Sequence, residues 1–184
     1  MSFDRQPILH GELLELRPLR ADDFADLYRV AADPLIWEQH PERDRWMEPV
    51  FRAFFDEALA SGGALVALDR ATGQIIGSSR FHGYEPDQGV IEIGWTFLAR
   101  AYWGGRYNGE MKRLMLEHAF THVDRVIFII GPDNLRSQRA VEKIGGVRAG
   151  TAFDAHGQEK VVYELTPALY VRRADDRRRT PSQA

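Results

Sequence analysis

The 184-residue chain contains no cysteine. That absence removes disulfide staples, thiol nucleophiles and cysteine-based zinc sites together, and it agrees with a reducing, cytoplasmic setting. No apolar run approaches the roughly 18 residues that cross a bilayer. The opening "MSFDRQPILHGELLELRPL" has no basic start leading into a long apolar segment, so no membrane partner is expected. Excess charge is missing too. With a net charge of −3 there is no global field for polyanions, and nucleic acid is not an expected partner. Internal repeats and dividing linkers are absent, which leaves a single domain.

What is present is a hydrophobic share of 44% with 28% charged residues, the balance of a buried core under a solvated surface. The domain is expected over 1–171. The remaining "RRADDRRRTPSQA" (172–184) has little apolar content to bury, and Asp175 and Asp176 among its arginines read as a mobile, solvated tail rather than an RNA-binding arm.

Along the chain, "ILHGELLELRPL" (8–19) reads as a strand pair or bent strand, broken at Gly11. A helix follows from Asp22 or Asp23, with Phe24, Leu27, Tyr28 and Ala31 at helical spacing. A loop then carries Trp37 and His40 into a second helix with Phe51, Phe54, Phe55 and Ala58 on its stripe, stopped at Gly62 and Gly63. Three antiparallel strands come next, "ALVALD", "QIIGSSRFHGYE" and "VIEIGWTFL". From Gly109 the pattern turns helical, and "RVIFII" (125–130) suits a strand buried on both faces. A capped helix beginning near Asp133 or Asn134 and two last strands around "AHGQ" complete the order. The sum is an α+β fold, a mainly antiparallel sheet with one parallel step.

The stretch "YWGGRYNGEM" (102–111) lies where that parallel crossover enters its helix. Free backbone N–H groups and the helix dipole make such a start an anion site, glycines let a ligand approach, and Arg106 offers a fork for phosphate oxygens. The bland alternative is a plain turn with a solvated arginine. A Walker A loop is ruled out because Glu110-Met111 stands where Lys-Ser or Lys-Thr is needed, and "GGRYNG" lacks the G-x-G-x-x-G spacing of dinucleotide loops.

In order and spacing these pieces resemble the GNAT superfamily of acyl-CoA-dependent N-acetyltransferases, in its ribosomal-protein N-terminal (RimJ/RimL-like) branch. "LELRPLRADDFADLYRVAADPLIW" is similar to its opening strand and first helix, and "GSSRFH" and "EIGWTFL" to its third and fourth strands. "YWGGRYNGEMKRLMLEHAF" is similar to its pyrophosphate loop and helix, and "NLRSQRAVEKIGGVRAG" to its second cofactor segment. The resemblance covers about residues 12–166 and implies a mixed sheet with helices on both faces and a splay between the family's fourth and fifth strands. There the pantetheine of acetyl-CoA lies as a pseudo-strand. It further implies that Trp95, Thr96, Phe97 and Leu98 hold the acetyl group. The pyrophosphate falls to Trp103, Gly104, Gly105, Arg106, Tyr107, Asn108 and Gly109. In the family's loop, Gln or Arg, then Gly, then Gly or Ala stand where this chain has Trp103, Arg106 and Asn108.

Acetylation of an amine needs a base, a stabilised oxyanion and a protonated leaving sulfur. Glu92 is the first candidate base and His82 the alternative, and both have bland readings. Glu92 can face solvent or pair with Arg80, and His82 can be structural. Alternation in "VIEIGWTF" places Ile91, Ile93, Trp95 and Phe97 on one face and Glu92, Gly94 and Thr96 on the other. Val141 stands where many family members have a sulfur-protonating tyrosine, so Ser137 is the candidate for orienting or protonating the thiolate, with Asn134 on the pantetheine amide or simply capping its helix. Trp37, His40 and His82 are the expected acceptor contacts; Trp46, Phe153 and His156 are candidates for the same mouth that read first as core residues. Glu110 is read as favouring its helix N-terminus electrostatically. Since about a tenth of an α-amino group is neutral at pH 7, a protein or peptide N-terminus is the leading acceptor. A small-molecule amine follows, and a non-catalytic CoA sensor is the rival from another class. No metal is expected, and a homodimer is allowed.

Overall fold

The computed structural model describes residues 3–170; the tail expected over 172–184 lies outside them. Eight strands run β1 (Leu9–His10), β2 (Leu14–Pro18), β3 (Ala64–Asp69), β4 (Ile75–Glu85), β5 (Val90–Leu98), β6 (Arg125–Ile130), β7 (Val147–Phe153) and β8 (Glu159–Leu165). Four helices lie between them: α1 (Phe24–Ala31), α2 (Glu48–Ala60), α3 (Arg106–Ala119) and α4 (Leu135–Lys143). The strands form one sheet in the order β1-β2-β3-β4-β5-β6-β8-β7. Every pair is antiparallel except β5 with β6.

Two apolar layers sandwich this sheet, and each follows from a periodic stripe in the sequence. On one face Leu27 and Ala31 of α1 and Phe51, Phe54, Phe55 and Ala58 of α2 pack on Val66 and Phe97. On the other, Met111, Leu114, Met115 and Ala119 of α3 and Val141 of α4 pack on Leu14, Leu16, Leu65, Phe81, Ile91 and Phe128. Strand alternation delivers one residue set to each layer, and each wholly buried aliphatic or aromatic side chain contributes about 1.5–3 kcal/mol.

Two expectations about elements change. Helix α3 begins at Arg106 rather than at Gly109, so Arg106, Tyr107 and Asn108 are its first turn and their N–H groups are the ones without intrahelical partners. Strand β6 is covered on one side only. Val126, Phe128 and Ile130 face α3 and α4, while Ile129 is 38% exposed on the other face. Its unbroken apolar run disguised a one-sided strand.

Glu110 does more than favour the helix start. Its carboxylate accepts N–H groups from Glu12 (2.9 Å), Leu13 (2.8 Å) and Leu14 (2.9 Å), tying the first turns of α3 to the β1–β2 turn. Gly11 is required there, since a Cβ would lie 2.4 Å from the Glu110 carboxylate. Burial acts to raise the Glu110 pKa, but the three N–H donors outweigh it and the net shift is downward. A depressed carboxylate contributes stability above its unfolded pKa of about 4.3 and loses it as pH falls through the lower folded value. Glu110→Ala is therefore expected to cost about 2–4 kcal/mol in urea unfolding at neutral pH, with the gap to wild type closing as the medium is acidified below about pH 4. An unchanged urea midpoint would show the clamp to be inert.

Candidate active site

The parallel ladder between β5 and β6 has three rungs, Val90–Arg125, Ile91–Val126 and Glu92–Ile127. Past Glu92 the strands separate: β5 stays paired with β4 as far as Leu98, and β6 stays paired with β8 as far as Ile130. The edges that face each other across this splay have no ladder partner, and backbone amides in a packed domain need one. An extended ligand bearing amides of its own can fill the gap as an added strand.

Beside the splay, β5 carries a bulge. Its register with β4 slips by one residue between Arg80–Gly94 and Ser78–Phe97, so that Ser79 faces an extra residue. Trp95 adopts φ 52°, the only positive φ of a non-glycine among the described residues. A backbone of this kind costs of order 1–3 kcal/mol and persists where its surroundings hold it. Here the Ser79 hydroxyl lies 2.8 Å from the Thr96 hydroxyl and 3.3 Å from the Gly94 carbonyl.

The bulge corrects the expected alternation. Ile91, Ile93 and Leu98 pack in the α3 layer, but Trp95 and Phe97 lie in the α1–α2 layer. Glu92 is thereby on the same side as Trp95, and Thr96 turns toward α3. One extra residue reverses the face of everything after it.

Glu92 is 8% exposed, opposite His82 on β4. Burial raises its pKa to about 7, with the Arg80 charge opposing. It does not face solvent, and the carboxylate hydrogen-bonded to Arg80 is that of Glu57, at 3.1 Å. Arg80 is 2% exposed and stacks on the Trp95 ring at 4.4 Å. Its Nε and Nη2 have no hydrogen-bond partner among the described residues. His82 is exposed, rests against Trp95 at 5.1 Å between ring centroids, and has its pKa lowered by partial desolvation of the ring and by the Arg80 charge.

At the mouth of the splay, Gly105 caps α3 and Gly104 takes φ 79°. Gly109 lies inside the helix and needs no unusual φ. A Cβ at any of the three would meet nothing within 4 Å, so the surface stands open. The hydroxyls of Tyr102 and Tyr107 donate to Asp69 at 3.3 and 3.2 Å, fastening the loop to the end of β3. Tyr107 therefore offers a ligand its backbone rather than its ring. Trp103 donates to the Leu98 carbonyl at 2.8 Å and carries the Arg136 guanidinium over its ring at 4.0 Å. Arg106 is exposed and Asn108 half-buried in the first turn. Across the splay, Asn134 caps α4 by accepting from the Ser137 N–H at 3.2 Å, Ser137 is half-buried, and Val141 is core at 3% exposure.

The expected acceptor residues separate. Trp37 is 3% exposed, packs on Phe97 and donates to the Ala31 carbonyl at 2.8 Å, so its ring belongs to the core rather than to a mouth. His40 touches Trp37 edge-on and does line a cleft of about 300 Å³, with Gln39, Pro41, Arg43, Pro132, Asp133 and the start of β8. His82 stands apart from the residues lining that cleft. Trp46, Phe153 and His156 are exposed and outside its lining.

Several residues of the site went unread in the sequence. Asp69 and Arg136 are ordinary surface types, placed by contacts distant in sequence. Lys112 did leave a signal: it recurs with Leu116 and Ala119 at i, i+4 and i+7, the spacing of a buried stripe.

The overall fold is shared with solved acetyltransferases. The chain is similar to a GCN5-related N-acetyltransferase from Brucella melitensis, with a TM-score of 0.76 at 21% identity over 92% of this chain and 85% of that one. It is similar to an acetyltransferase from Agrobacterium tumefaciens str. C58, at 0.69 and 25% over 86% and 94%. It is also similar to Mycobacterium smegmatis RimJ in complex with CoA-disulfide, at 0.68 and 17% over 94% of each chain. The sequence model of the GNAT acetyltransferase domain matches residues 14–147, and the chain belongs to that family.

His40 yields a prediction of its own. Burial lowers its pKa to about 3, reinforced by the Arg45 charge, so the ring is neutral in the folded protein. Its imidazole resonances are expected to stay untitrated from about pH 8 down to about pH 4, whereas a free histidine protonates near about 6.5. Because the folded value is the lower one, this residue's contribution to stability is full above about 6.5 and declines as pH falls. Titration of His40 near neutrality would refute the burial argument.

Proposed function

We propose that this chain transfers the acetyl group of acetyl-CoA to a primary amine, with a protein or peptide N-terminus as the leading acceptor. The observation that carries the reading is the splay: two unpaired strand edges beginning at Glu92, with the strained bulge at Trp95 on one side and the open start of α3 at its mouth. Those features suit, in turn, the two amides of a pantetheine arm, a thioester carbonyl and a pyrophosphate. The CoA-bound RimJ neighbour supports the same ligand class.

In this reading the N–H groups of the first turn of α3, with Arg106, bind the pyrophosphate, and Trp103, Gly104, Gly105, Tyr107, Asn108 and Gly109 supply the surface around it. The β5 backbone from Trp95 to Leu98 orients the acetyl carbonyl. Asn134 and Ser137 flank the pantetheine from the start of α4. Glu92 takes the proton of the attacking amine, directly or through water, and His40 contributes a neutral polar wall to the acceptor cleft. A base titrating near 7 matches an α-amino group, which loses its proton near about 8, far better than a lysine at about 10.4. A small-molecule amine of similar basicity is the second acceptor class.

Thiol release from acetyl-CoA, measured with short peptides, polyamines and amino acids as acceptors, is expected to be fastest with peptides bearing a free N-terminus. Faster release with a polyamine would reassign the acceptor, and CoA binding without turnover on any amine would make the chain a sensor. Glu92→Gln is expected to lower kcat by about 10²-fold or more and to abolish the acidic limb near pH 7, while acetyl-CoA affinity is unchanged. An unaltered rate would remove Glu92 from the base role. Arg106→Ala is expected to weaken CoA more than a pantetheine analogue lacking the pyrophosphate, and equal losses would place the phosphates elsewhere.

A further inference from the structure

Lys112 has no role in the chemistry proposed above, yet it is buried at the splay itself. The side chain is 6% exposed. Its Nζ donates to the Thr96 hydroxyl at 2.8 Å and stands 5.1 Å from the centroid of the Phe128 ring. Thr96 belongs to β5 and Phe128 to β6, and both lie beyond the last shared rung at Glu92–Ile127. The ammonium thus bridges the two strands where they have already parted.

As a packing choice this is expensive. An ammonium has three donors, one of which meets Thr96, and methionine or leucine would fill an apolar helix stripe without the desolvation cost. Burial alone lowers the Lys112 pKa, to about 7, and no charged neighbour contributes. The lysine is also joined to the bulge, because Thr96 is held by Ser79.

We propose that Lys112 is the cation and proton donor for the leaving sulfur: its ammonium, held between Thr96 and Phe128 inside the splay, stabilises the CoA thiolate and protonates it. This rests on the acetyl-CoA reading above. The amine nitrogen bonds to the carbonyl carbon as Glu92 takes its proton. The carbon–sulfur bond breaks and its electron pair goes to sulfur. A proton passes from Nζ to that sulfur, giving the thiol and a neutral lysine, and Glu92 and Lys112 then return to their starting states by exchange with water.

The test needs neither acceptor nor turnover. With CoA itself as probe, the thiol of the complex with the full chain is titrated by its ultraviolet thiolate absorbance, and calorimetry confirms binding. The bound thiol is expected to be at least tenfold more acidic than free CoA, and Lys112→Met to restore the free value. Lys112→Arg is expected to keep the thiol acidic while lowering acetyl transfer at least tenfold, because a guanidinium holds its proton. A wild-type complex whose thiol titrates like free CoA overturns the proposal without recourse to a variant. So does an acidic thiol that Lys112→Met leaves unchanged. Failure of CoA to bind the wild type would instead overturn the acetyl-CoA reading, and the lysine's role with it.

Discussion

Everything at this site depends on a parallel ladder that stops after three rungs. Had β5 and β6 remained paired to their ends, their amides would satisfy one another and leave nothing for an extended ligand. β6 gives its other edge wholly to β8, and β5 keeps β4 through a bulge that turns Trp95 into a left-handed conformation. Two strands each held firmly on their outer side can afford an open inner one. The conserved quantity is hydrogen-bonding capacity, moved from the protein's own ladder to a ligand.

Around that opening the chain buries charge, which is costly unless something offsets it. Arg80 has Glu57 and the face of Trp95, and Arg45 has Glu42 and the rings of Phe54 and Trp37. Glu92 and Lys112 have less: burial is the leading cause of each one's shift, and it brings a carboxylate and an ammonium to nearly the same value from opposite directions. Alternation with Ile91 and Ile93 puts Glu92 on the α2 side of β5, and the bulge beyond it turns Thr96, the partner of Lys112, to the α3 side. In the proposed reaction one group takes a proton from the amine and the other gives one to the sulfur, so their separation by the strand suits opposite tasks.

Much of the scaffold was legible before the structure. The stripes of α1, α2 and α4, the hairpin between β3 and β4 and the bounds of β6 follow from local periodicity and turn chemistry, which neighbouring residues carry. So did the loop ahead of α3 and Glu92 as a carboxylate beside the splay. Misreadings arose where local pattern is ambiguous. Trp37 looked like a loop aromatic, but its indole N–H finds the Ala31 carbonyl and its ring finds Phe97. Pairing with Arg80 is one bland reading of Glu92 in the sequence, but the carboxylate hydrogen-bonded to Arg80 is that of Glu57 on α2.

The sequence by itself determined the element order, the two apolar layers and the one parallel crossover, because hydrophobic period and glycine placement are properties of adjacent residues. Only the tertiary structure decided which side of β5 each residue occupies after Gly94, which carboxylate and which lysine lose their water, and that Glu110 clamps a turn some 97 residues away in the chain. A bulge is one residue's backbone angle, held by Ser79 from the neighbouring strand, and a shifted pKa is set by what packs around the group. Both depend on contacts between distant segments, which no local pattern records.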